Sequence, residues 1–512
     1  MQDSNSFVFL VLNLVPVSSF ASFHSFMSFD LKNLVAARMG ENYDLHSQHL
    51  NPTLVEVLQI TGFDKVYTRA EGAYLYDQAG NAYLDFLSGY SVYNMGRNHP
   101  VIKKAIRDAL DLDLPNLVQL DCSLLSGLLG EALLKKTPDH LEAIFFCNSG
   151  TEAIEGALKF ARATTGRAKI VSLKGSYHGL SYGSLSVTGN ENFQEGFGPF
   201  LADTARVEMG DLTGLETLLR KGNVAAFLFE PIQGKGVNFP EDNFYPQAQA
   251  LCRKYGTLVI CDEIQTGLGR TGKWWGFQHW NLEPDIMTVA KSLSGGFVPC
   301  GAIISRRSIY QKVFSRLDRC VVHSSTFGRN NLAMGCGLAT LNVLEEEKLI
   351  ENSTAMGEKL LSRLDEFREK HSLIKEVRGK GLMIAIEFRE PPQLGLKLAW
   401  RLMHRIDRGL FSQLIVVPML SRHRVLTQVA GHNMDVIKIL PPLNITDKEV
   451  DHFIHALDET VKACRKFPGP ILELALNTAR KNGKRLKNSA IHLNKNNRSG
   501  SRLVENRYAS HE

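Results

Sequence analysis

Two residues in this chain are placed to work as a pair: an amine, Lys291, and a carboxylate, Asp262. Each stands at the end of an apolar β-like run and opens onto a glycine-containing loop. Lys291 follows Asp285-Ile286-Met287-Thr288-Val289-Ala290 and precedes Ser292-Leu293-Ser294-Gly295-Gly296. Asp262 ends Leu258-Val259-Ile260-Cys261 and precedes Glu263-Ile264-Gln265-Thr266-Gly267. A lysine so placed is a candidate nucleophile, and a buried acid with it points to pyridoxal phosphate. That cofactor needs a lysine for its Schiff base and an acid opposite its pyridine nitrogen, which keeps the ring protonated as an electron sink. Taken singly, each residue has a plainer reading, a solvated loop lysine and an Asp that forms a turn or caps a helix. The combination carries the argument.

A third segment supplies what a phosphate would need. Ala143 to Asn148 reads as a strand. Ser149-Gly150-Thr151-Glu152 then starts a helix whose apolar residues Ala153, Ile154, Ala157, Leu158 and Ala161 recur at helical spacing. Ser149 and Glu152 have the spacing of a capping box. A glycine in the first turn lets a phosphate approach free backbone N–H groups, and the helix dipole favours an anion there. Alone, the segment also reads as an ordinary capped helix.

In this order the segments resemble the class III, ornithine/acetylornithine/ω-amino-acid-type aminotransferases among the fold-type I pyridoxal phosphate enzymes. The resemblance spans roughly Leu54 to Ala463. It rests on Gly72-Ala73-Tyr74-Leu75-Tyr76-Asp77 with Tyr83-Leu84-Asp85-Phe86, Asn148 to Ala153, Ser176-Tyr177-His178-Gly179 and Phe229-Glu230-Pro231-Ile232-Gln233-Gly234. It continues through Asp262 to Gly267, Pro284-Asp285 to Lys291, and His323-Ser324-Ser325-Thr326-Phe327-Gly328.

The resemblance implies roles. Lys291 would hold the cofactor and then shuttle a proton, which requires part of its amine to be neutral near pH 7, so desolvation should lower its pKa. Asp262 would face the pyridine nitrogen, Gln265 the phenolic oxygen, Tyr177 one ring face and Ile264 the other. His178 would orient Asp262 or the ring, or be a structural histidine. Ser149, Gly150 and Thr151 would contact the phosphate. Thr326 would reach it from a neighbouring subunit, making a homodimer with shared active sites. Glu230 would support Gln265 or the cofactor's surroundings, or be a turn residue. The activity implied is a ping-pong amino transfer from a small-molecule amine, diamine or (ω-)amino acid to a 2-oxo acid. The alternatives are a decarboxylase, racemase or aminomutase on the same fold, or a non-catalytic relative acting as regulator or scaffold.

The chain departs from the family pattern at the substrate side. Most relatives carry a glutamate after the Gln-Gly of the Glu-Pro-Ile-Gln-Gly motif, which neutralises an arginine preceding a Pro-Pro-Leu segment. Here Lys235 and Gly236 stand at the first place and Lys438 at the second, before Ile439-Leu440-Pro441-Pro442-Leu443. A lysine attracts a carboxylate as a point charge, without arginine's bidentate fork. Tyr90, Lys235 and Lys438 are the candidate substrate contacts. Arg97 lies near the expected mouth and reads either as a carboxylate contact or as a surface salt bridge.

Composition bounds the rest. The 512 residues, 44% hydrophobic and 22% charged, suffice for one large and one small domain. The expected fold is α/β, a mainly parallel sheet with helices on both faces, joined by a smaller α+β domain. Candidate strands are Ala143 to Cys147, Lys169 to Leu173, Ala225 to Phe229, Leu258 to Cys261, Ile286 to Ala290 and Gly301 to Ser305. The chain divides into an N-terminal extension and leader helix (1–50), an N-terminal part of the small domain (51–100), a cofactor-binding large domain (101–340), a C-terminal small domain (341–466) and a basic tail (467–512) expected to lack a packed fold. Strand-like Ala73 to Phe86 would complete the small domain.

From Lys466 to Glu512 there are ten Lys or Arg against three Asp or Glu, so the tail holds the whole net charge of +6 and the rest stands near −1. That distribution gives no reason to expect a nucleic-acid partner. Eight cysteines without zinc-ligand spacing suit buried thiols in the cytoplasm and no metal site. The apolar run Phe7 to Val17 is too short to span a bilayer and lacks a basic flank, and Met27 reads as a plausible start.

Overall fold

In the strand Val224–Phe229 all six residues are apolar and all are buried, the pattern of a strand covered on both faces. The computed structural model describes residues 29–464 apart from 117, 119, 241–242, 393–396, 398–399, 402–403, 405–409 and 432–433. The apolar run Phe7 to Val17, Met27 and the basic tail fall outside the described residues.

The chain forms two compact units, Met1–Val57 and Leu58–Glu512. In the first, Asp30 caps the helix Leu31–Ala37 by accepting from Asn33 N at 3.0 Å, and the helix Asn42–His49 follows. The second holds three sheets. Their strands are β1 (Tyr67–Glu71), β2 (Tyr74–Asp77), β3 (Ala82–Asp85), β4 (Ala143–Cys147), β5 (Lys169–Leu173), β6 (Thr204–Val207), β7 (Val224–Phe229) and β8 (Leu258–Asp262). Then come β9 (Ile286–Val289), β10 (Gly301–Ser305), β11 (Ile374–Lys380), β12 (Met383–Phe388), β13 (Val425–Leu426), β14 (Gln428–Val429) and β15 (Val436–Ile439).

The large sheet has the order β4-β10-β9-β8-β7-β5-β6. It is parallel from β9 to β6, while β10 runs antiparallel to both β4 and β9. The two-residue period of the strands sorts its side chains. Ala226 and Leu228 of β7, with Ile260 and Ile286, pack on one face against Ile154, Ala157, Leu158 and Ala161 of the helix Gly150–Thr165. Phe227, Phe229, Val259 and Cys261 join a core on the other face that includes Tyr245 and Trp280. Six strands lie where the sequence expects them. The seventh, β6, is an additional edge strand of four residues containing Arg206, too short and polar to stand out as a buried run.

Two four-stranded sheets complete the unit, β1-β2-β3-β13 and β11-β12-β15-β14. The strand-like stretch from Ala73 is the β2–β3 hairpin, which β13 extends in parallel. The helices Leu349–Lys370 and Asp447–Cys464 accompany the last five strands.

Arg270 ties these parts together. Its guanidinium is fully buried and spends its donors on five acceptors: Ser91 Oγ (2.8 Å), Ser88 Oγ (3.2 Å), Asn94 Oδ1 (2.7 Å), Leu382 O (2.9 Å) and Pro441 O (2.6 Å). These acceptors lie after β3, before β12 and after β15. A buried charge is tolerable only when its hydrogen bonds are complete, and five donors in a rigid fork achieve that. Arg270→Lys has only three donors and strands buried acceptors. It should cost about 3 kcal/mol, seen as a thermal midpoint several degrees below that of the parent; an unchanged midpoint would show that the fork holds nothing together.

Candidate active site

The carboxyl ends of β4, β5, β7, β8 and β9 converge, and the segments leaving them line a cavity of about 730 Å³. In parallel sheets this is where ligands lie. Asp262, the last residue of β8, is 3% exposed. Its Oδ2 lies 2.8 Å from His178 Nδ1, and its Oδ1 accepts from Ile264 N at 3.1 Å. His178 is itself buried and its Nε2 has no partner. Its contact is with Asp262, whose carboxylate it fixes.

Lys291 stands two residues past β9 with φ of +47°, a left-handed conformation that a non-glycine residue adopts at a cost of about 1–3 kcal/mol. Burial pushes its ammonium pKa down from the usual lysine range; Asp262 and Glu230 oppose that shift and Lys235 adds to it. Desolvation therefore outweighs the pull of the two carboxylates.

Glu230, the residue after β7, is the keystone between two loops. Its Oε1 accepts from Tyr177 N at 2.8 Å and its Oε2 from Gly234 N at 2.7 Å. Burial, with Asp262 nearby, pushes its pKa up against the opposing pull of His178. Gln265 donates through Nε2 to Tyr90 O at 2.9 Å, while its buried Oε1 lacks a partner.

At the end of β4, Ser149 caps the helix Gly150–Thr165, its hydroxyl accepting from Glu152 N at 3.3 Å. The other half of the expected capping box is displaced by one residue: Glu152 Oε2 accepts from Asn148 N at 2.7 Å. Gly150 lies against Ile264, where a Cβ would come within 2.8 Å of Ile264 Cδ1. Thr151 Oγ1 accepts from Ser181 N at 3.1 Å and contacts the Ser181 and Ser184 hydroxyls, each at 2.6 Å. The first turn of a 16-residue helix thus faces the cavity with its backbone N–H groups, closely packed and without side-chain bulk at Gly150.

Two more lysines enter the same space. Lys235 Nζ lies 5.5 Å from the Tyr177 ring centroid and 5.2 Å from that of Phe193. Lys438 donates to Gly234 O at 2.7 Å and lies 5.5 Å from the Tyr90 ring centroid. Tyr90 itself donates to Gln428 Oε1.

The cavity therefore gathers Tyr90, Ser149, Gly150, Thr151, Tyr177, His178, Glu230, Lys235, Asp262, Ile264, Gln265, Lys291 and Lys438. Thr326 lines an adjoining cleft of about 720 Å³ that shares Asn148, Val298 and Pro299 with it. Arg97 does not line the cavity: it pairs with the fully buried Asp85 at 2.8 Å and stacks 4.0 Å from the Tyr93 ring centroid. Sequence reasoning did not reach the apolar wall formed by Leu180, Phe193, Phe297 and Val298. Phe193 ends a three-residue 3-10 turn, Glu191–Phe193, too short to show a period, and meets the Tyr177 ring edge-on at 5.3 Å.

This set of groups fits pyridoxal phosphate. A helix N-terminus can take the phosphate, and a histidine-held carboxylate can face a ring nitrogen. An aromatic and an aliphatic side chain can cover the ring faces, the partnerless Gln265 oxygen marks room for a further polar group, and a desolvated amine completes the set.

Comparison with known proteins agrees. The sequence profile "Aminotransferase class-III" matches residues 59–461. Aminotransferase PigE of a Serratia species is 34% identical over 81% of this chain and 52% of its own length, so the chain spans about half of that relative. Ornithine aminotransferase from Toxoplasma gondii superimposes with a TM-score of 0.73 at 28% identity, over 86% of this chain and 99% of that one. An amine transaminase from an uncultivated Pseudomonas species, solved with pyridoxal phosphate bound, gives 0.71 at 28% identity over 78% and 95%. A transaminase from the marine bacterium Virgibacillus gives 0.74 at 26% identity over 84% and 100%. The chain therefore belongs to the class-III aminotransferase family, a pyridoxal-phosphate-dependent family, and has its fold-type I architecture.

Proposed function

We propose that the protein transfers an amino group from an amine, a diamine or an (ω-)amino acid to a 2-oxo acid, one product leaving before the second substrate enters. The observation that carries this reading is Lys291, an amine buried in the same cavity as the histidine-held carboxylate of Asp262, beside an unobstructed helix N-terminus. Bound there, pyridoxal phosphate supplies an aldehyde that condenses with amines and a protonated ring that draws electrons from the carbon bearing the substrate nitrogen.

The chain's own groups do the rest. The backbone N–H groups at Ser149, Gly150 and Thr151 bind the phosphate. Asp262, oriented by His178, holds the proton at the ring nitrogen. Tyr177 and Ile264 hold the ring from its two faces, and Gln265 lies toward the phenolic oxygen. Glu230 fixes Tyr177 and the Gly234 turn. Lys291 Nζ takes the proton from the substrate carbon and returns one in the reverse half-reaction, a role that desolvation of its amine favours. Tyr90, Lys235 and Lys438 border the substrate.

The functional unit we propose is a homodimer. Supporting it is the apolar surface around Thr326: Phe327 is 67% exposed, and Val118, Leu120, Val321 and Val322 are exposed as well. An exposed apolar patch beside a cleft that adjoins the candidate active site suits such an interface, and Thr326 would then reach a partner's cavity. We further propose a large domain over 101–340, a small domain from 51–100 and 341–466, and a cytoplasmic location. A reducing compartment suits eight unpaired cysteines, of which six are buried. Among the described residues no helix is long and apolar enough to cross a membrane.

Lys291→Ala should keep the fold and lower turnover at least about a thousandfold, in an assay of amino transfer from a panel of amine donors. Retained multiple turnover would remove Lys291 from the chemistry. Asp262→Asn keeps shape and loses the charge; it should bind cofactor yet lower turnover by roughly a hundredfold or more, and a near-normal rate would mean that another group faces the ring nitrogen. Phe327→Glu should raise the dimer dissociation constant by roughly thirtyfold or more, read by light scattering across a dilution series, with activity falling as dimer is lost. A dilution series identical to the parent's would reject this face as the interface.

A further inference from the structure

Four residues lie side by side across one of the smaller sheets. Arg378 of β11 pairs with Ala385 of β12, Ala385 with Lys438 of β15, and Lys438 with Gln428 of β14. Residues opposite one another on neighbouring strands point to the same side of a sheet, and three of these four reach the wall of the cavity. Gln428 accepts from the Tyr90 hydroxyl, and Lys438 donates to Gly234 O at 2.7 Å. Arg378 donates through Nη2 to Gly236 O at 2.8 Å and Asn238 Oδ1 at 3.1 Å, and through Nε to Val237 O at 3.2 Å. Ala385, the small member of the row, separates the two long cations.

The turn that these cations hold is strained. It runs from Gln233 to Asn238 and is closed by an antiparallel bridge in which Gln233 N donates to Asn238 O at 2.8 Å. Gly236 and Val237 both have left-handed backbones, with φ of +81° and +54°. Glycine adopts that conformation freely, whereas a β-branched residue keeps it only where its surroundings impose it. Val237 is fully buried, and the carbonyls of these same two residues are the ones Arg378 takes. The remaining nitrogen of the guanidinium, Nη1, donates to Glu387 Oε2 at 2.5 Å and Glu376 Oε2 at 3.0 Å, so the sheet fixes the arginine while its other donors fix the turn. On its far side the turn meets the cavity: Gly234 and Lys235 line it, and Lys235 Nζ lies over the Tyr177 and Phe193 rings.

We propose that Arg378 is a positioning residue for the amine donor: it imposes the strained turn and thereby fixes where Lys235 and the Gly234 peptide stand in the cavity wall. This role depends on the aminotransferase reading, in which Lys235 borders the substrate. Relaxation of Val237 to a right-handed conformation would rotate the peptides on either side of it and carry Lys235 away from the Tyr177 and Phe193 rings. Lysine cannot replace the arginine, because one ammonium group does not span two carbonyls, an amide oxygen and two carboxylates that a planar fork reaches together. Contacts to a part of the donor remote from the reacting carbon act alike on the ground and transition states, so their loss shows in half-saturation and not in the maximal rate.

The test uses the full-length holoenzyme and follows the cofactor absorption band as putrescine, L-ornithine, β-alanine or 1-phenylethylamine is added without a 2-oxo acid, which separates donor half-saturation from the maximal rate of conversion. With the donor that the parent converts best, Arg378→Lys should raise half-saturation about tenfold or more and leave the maximal rate within about threefold. Glu387→Gln removes an ion-pair partner of Arg378 and none of its bonds to the turn, and should change half-saturation by less than about threefold. Combining Arg378→Lys with Val237→Gly should return half-saturation to within about threefold of Val237→Gly alone, because glycine keeps the left-handed φ unaided. Hydrogen exchange of the Gln233 and Gly234 amides should run at least about tenfold faster in Arg378→Lys, with the β7 amides unchanged. Arg378→Gln with Glu387→Gln, which removes both charges of the pair, carries the same expectations where the lysine variant does not fold. Unaltered exchange, unaltered half-saturation, or no rescue by Val237→Gly would overturn the proposal. Failure of the aminotransferase reading shows separately, as a band in the parent that no donor converts, and the exchange rates then still decide whether Arg378 holds the turn.

Discussion

Placing an ammonium group inside the protein is the constraint around which the structure is arranged. Removing a lysine from water favours its neutral form, whereas nearby carboxylates favour the charged one, and the balance at Lys291 falls on the side of desolvation. That balance exists only if Asp262 and Glu230 remain near Lys291 while being satisfied by other groups. His178 holds the first, and the N–H groups of Tyr177 and Gly234 hold the second. Were either carboxylate free to pair directly with Lys291, the amine would hold its proton more tightly.

Strand ends make such an arrangement possible. Asp262 and Glu230 lie on or directly after the last residues of β8 and β7, and Lys291 lies two residues beyond β9, so neighbouring strands fix the spacing of the three groups. The sheet is rigid because its side chains alternate into two apolar cores, one under the helix Gly150–Thr165 and one around Phe227, Phe229 and Trp280. The remaining wall comes from segments distant in sequence, and Arg270 joins several of them. Its contacts to Ser88, Ser91 and Asn94 hold the segment that carries Tyr90, and its contact to Pro441 holds the segment following Lys438. A wholly buried cation thus serves as a clamp beside a site whose lysine is itself removed from water.

Apolar strands that terminate in Asp262 or precede Lys291 were readable in the sequence because hydrophobic runs and their punctuation are local properties. So was the capped helix after Cys147, although its glutamate reaches one residue further back than the simple pattern gives. Contacts set by tertiary packing were not readable. Arg97 could be assigned to the mouth or to a salt bridge, and only the burial of Asp85 beside it decides for the latter. Thr326, which the resemblance assigns to a neighbouring subunit's site, lines a second cleft of its own chain, a relation between chains that local sequence does not display. Phe193 and the short edge strand β6 left no periodic trace, one in a 3-10 turn of three residues and the other four residues long.

The three cavity lysines form one electrostatic system, and this links recognition to chemistry. Lys235 lowers the proton affinity of Lys291, and Lys235 and Lys291 both lower that of Lys438. Coupled groups titrate together, so a ligand that neutralises one alters the others. An anion bound in this cavity would reduce the positive potential at Lys291 and strengthen its hold on a proton, while an uncharged ligand would leave that potential in place and the amine less basic. The coupling is reciprocal: whatever fixes the protonation of Lys291 also shifts that of Lys438. The same buried field therefore acts on all three lysines, while the carboxylates of Asp262 and Glu230 are already engaged by other groups.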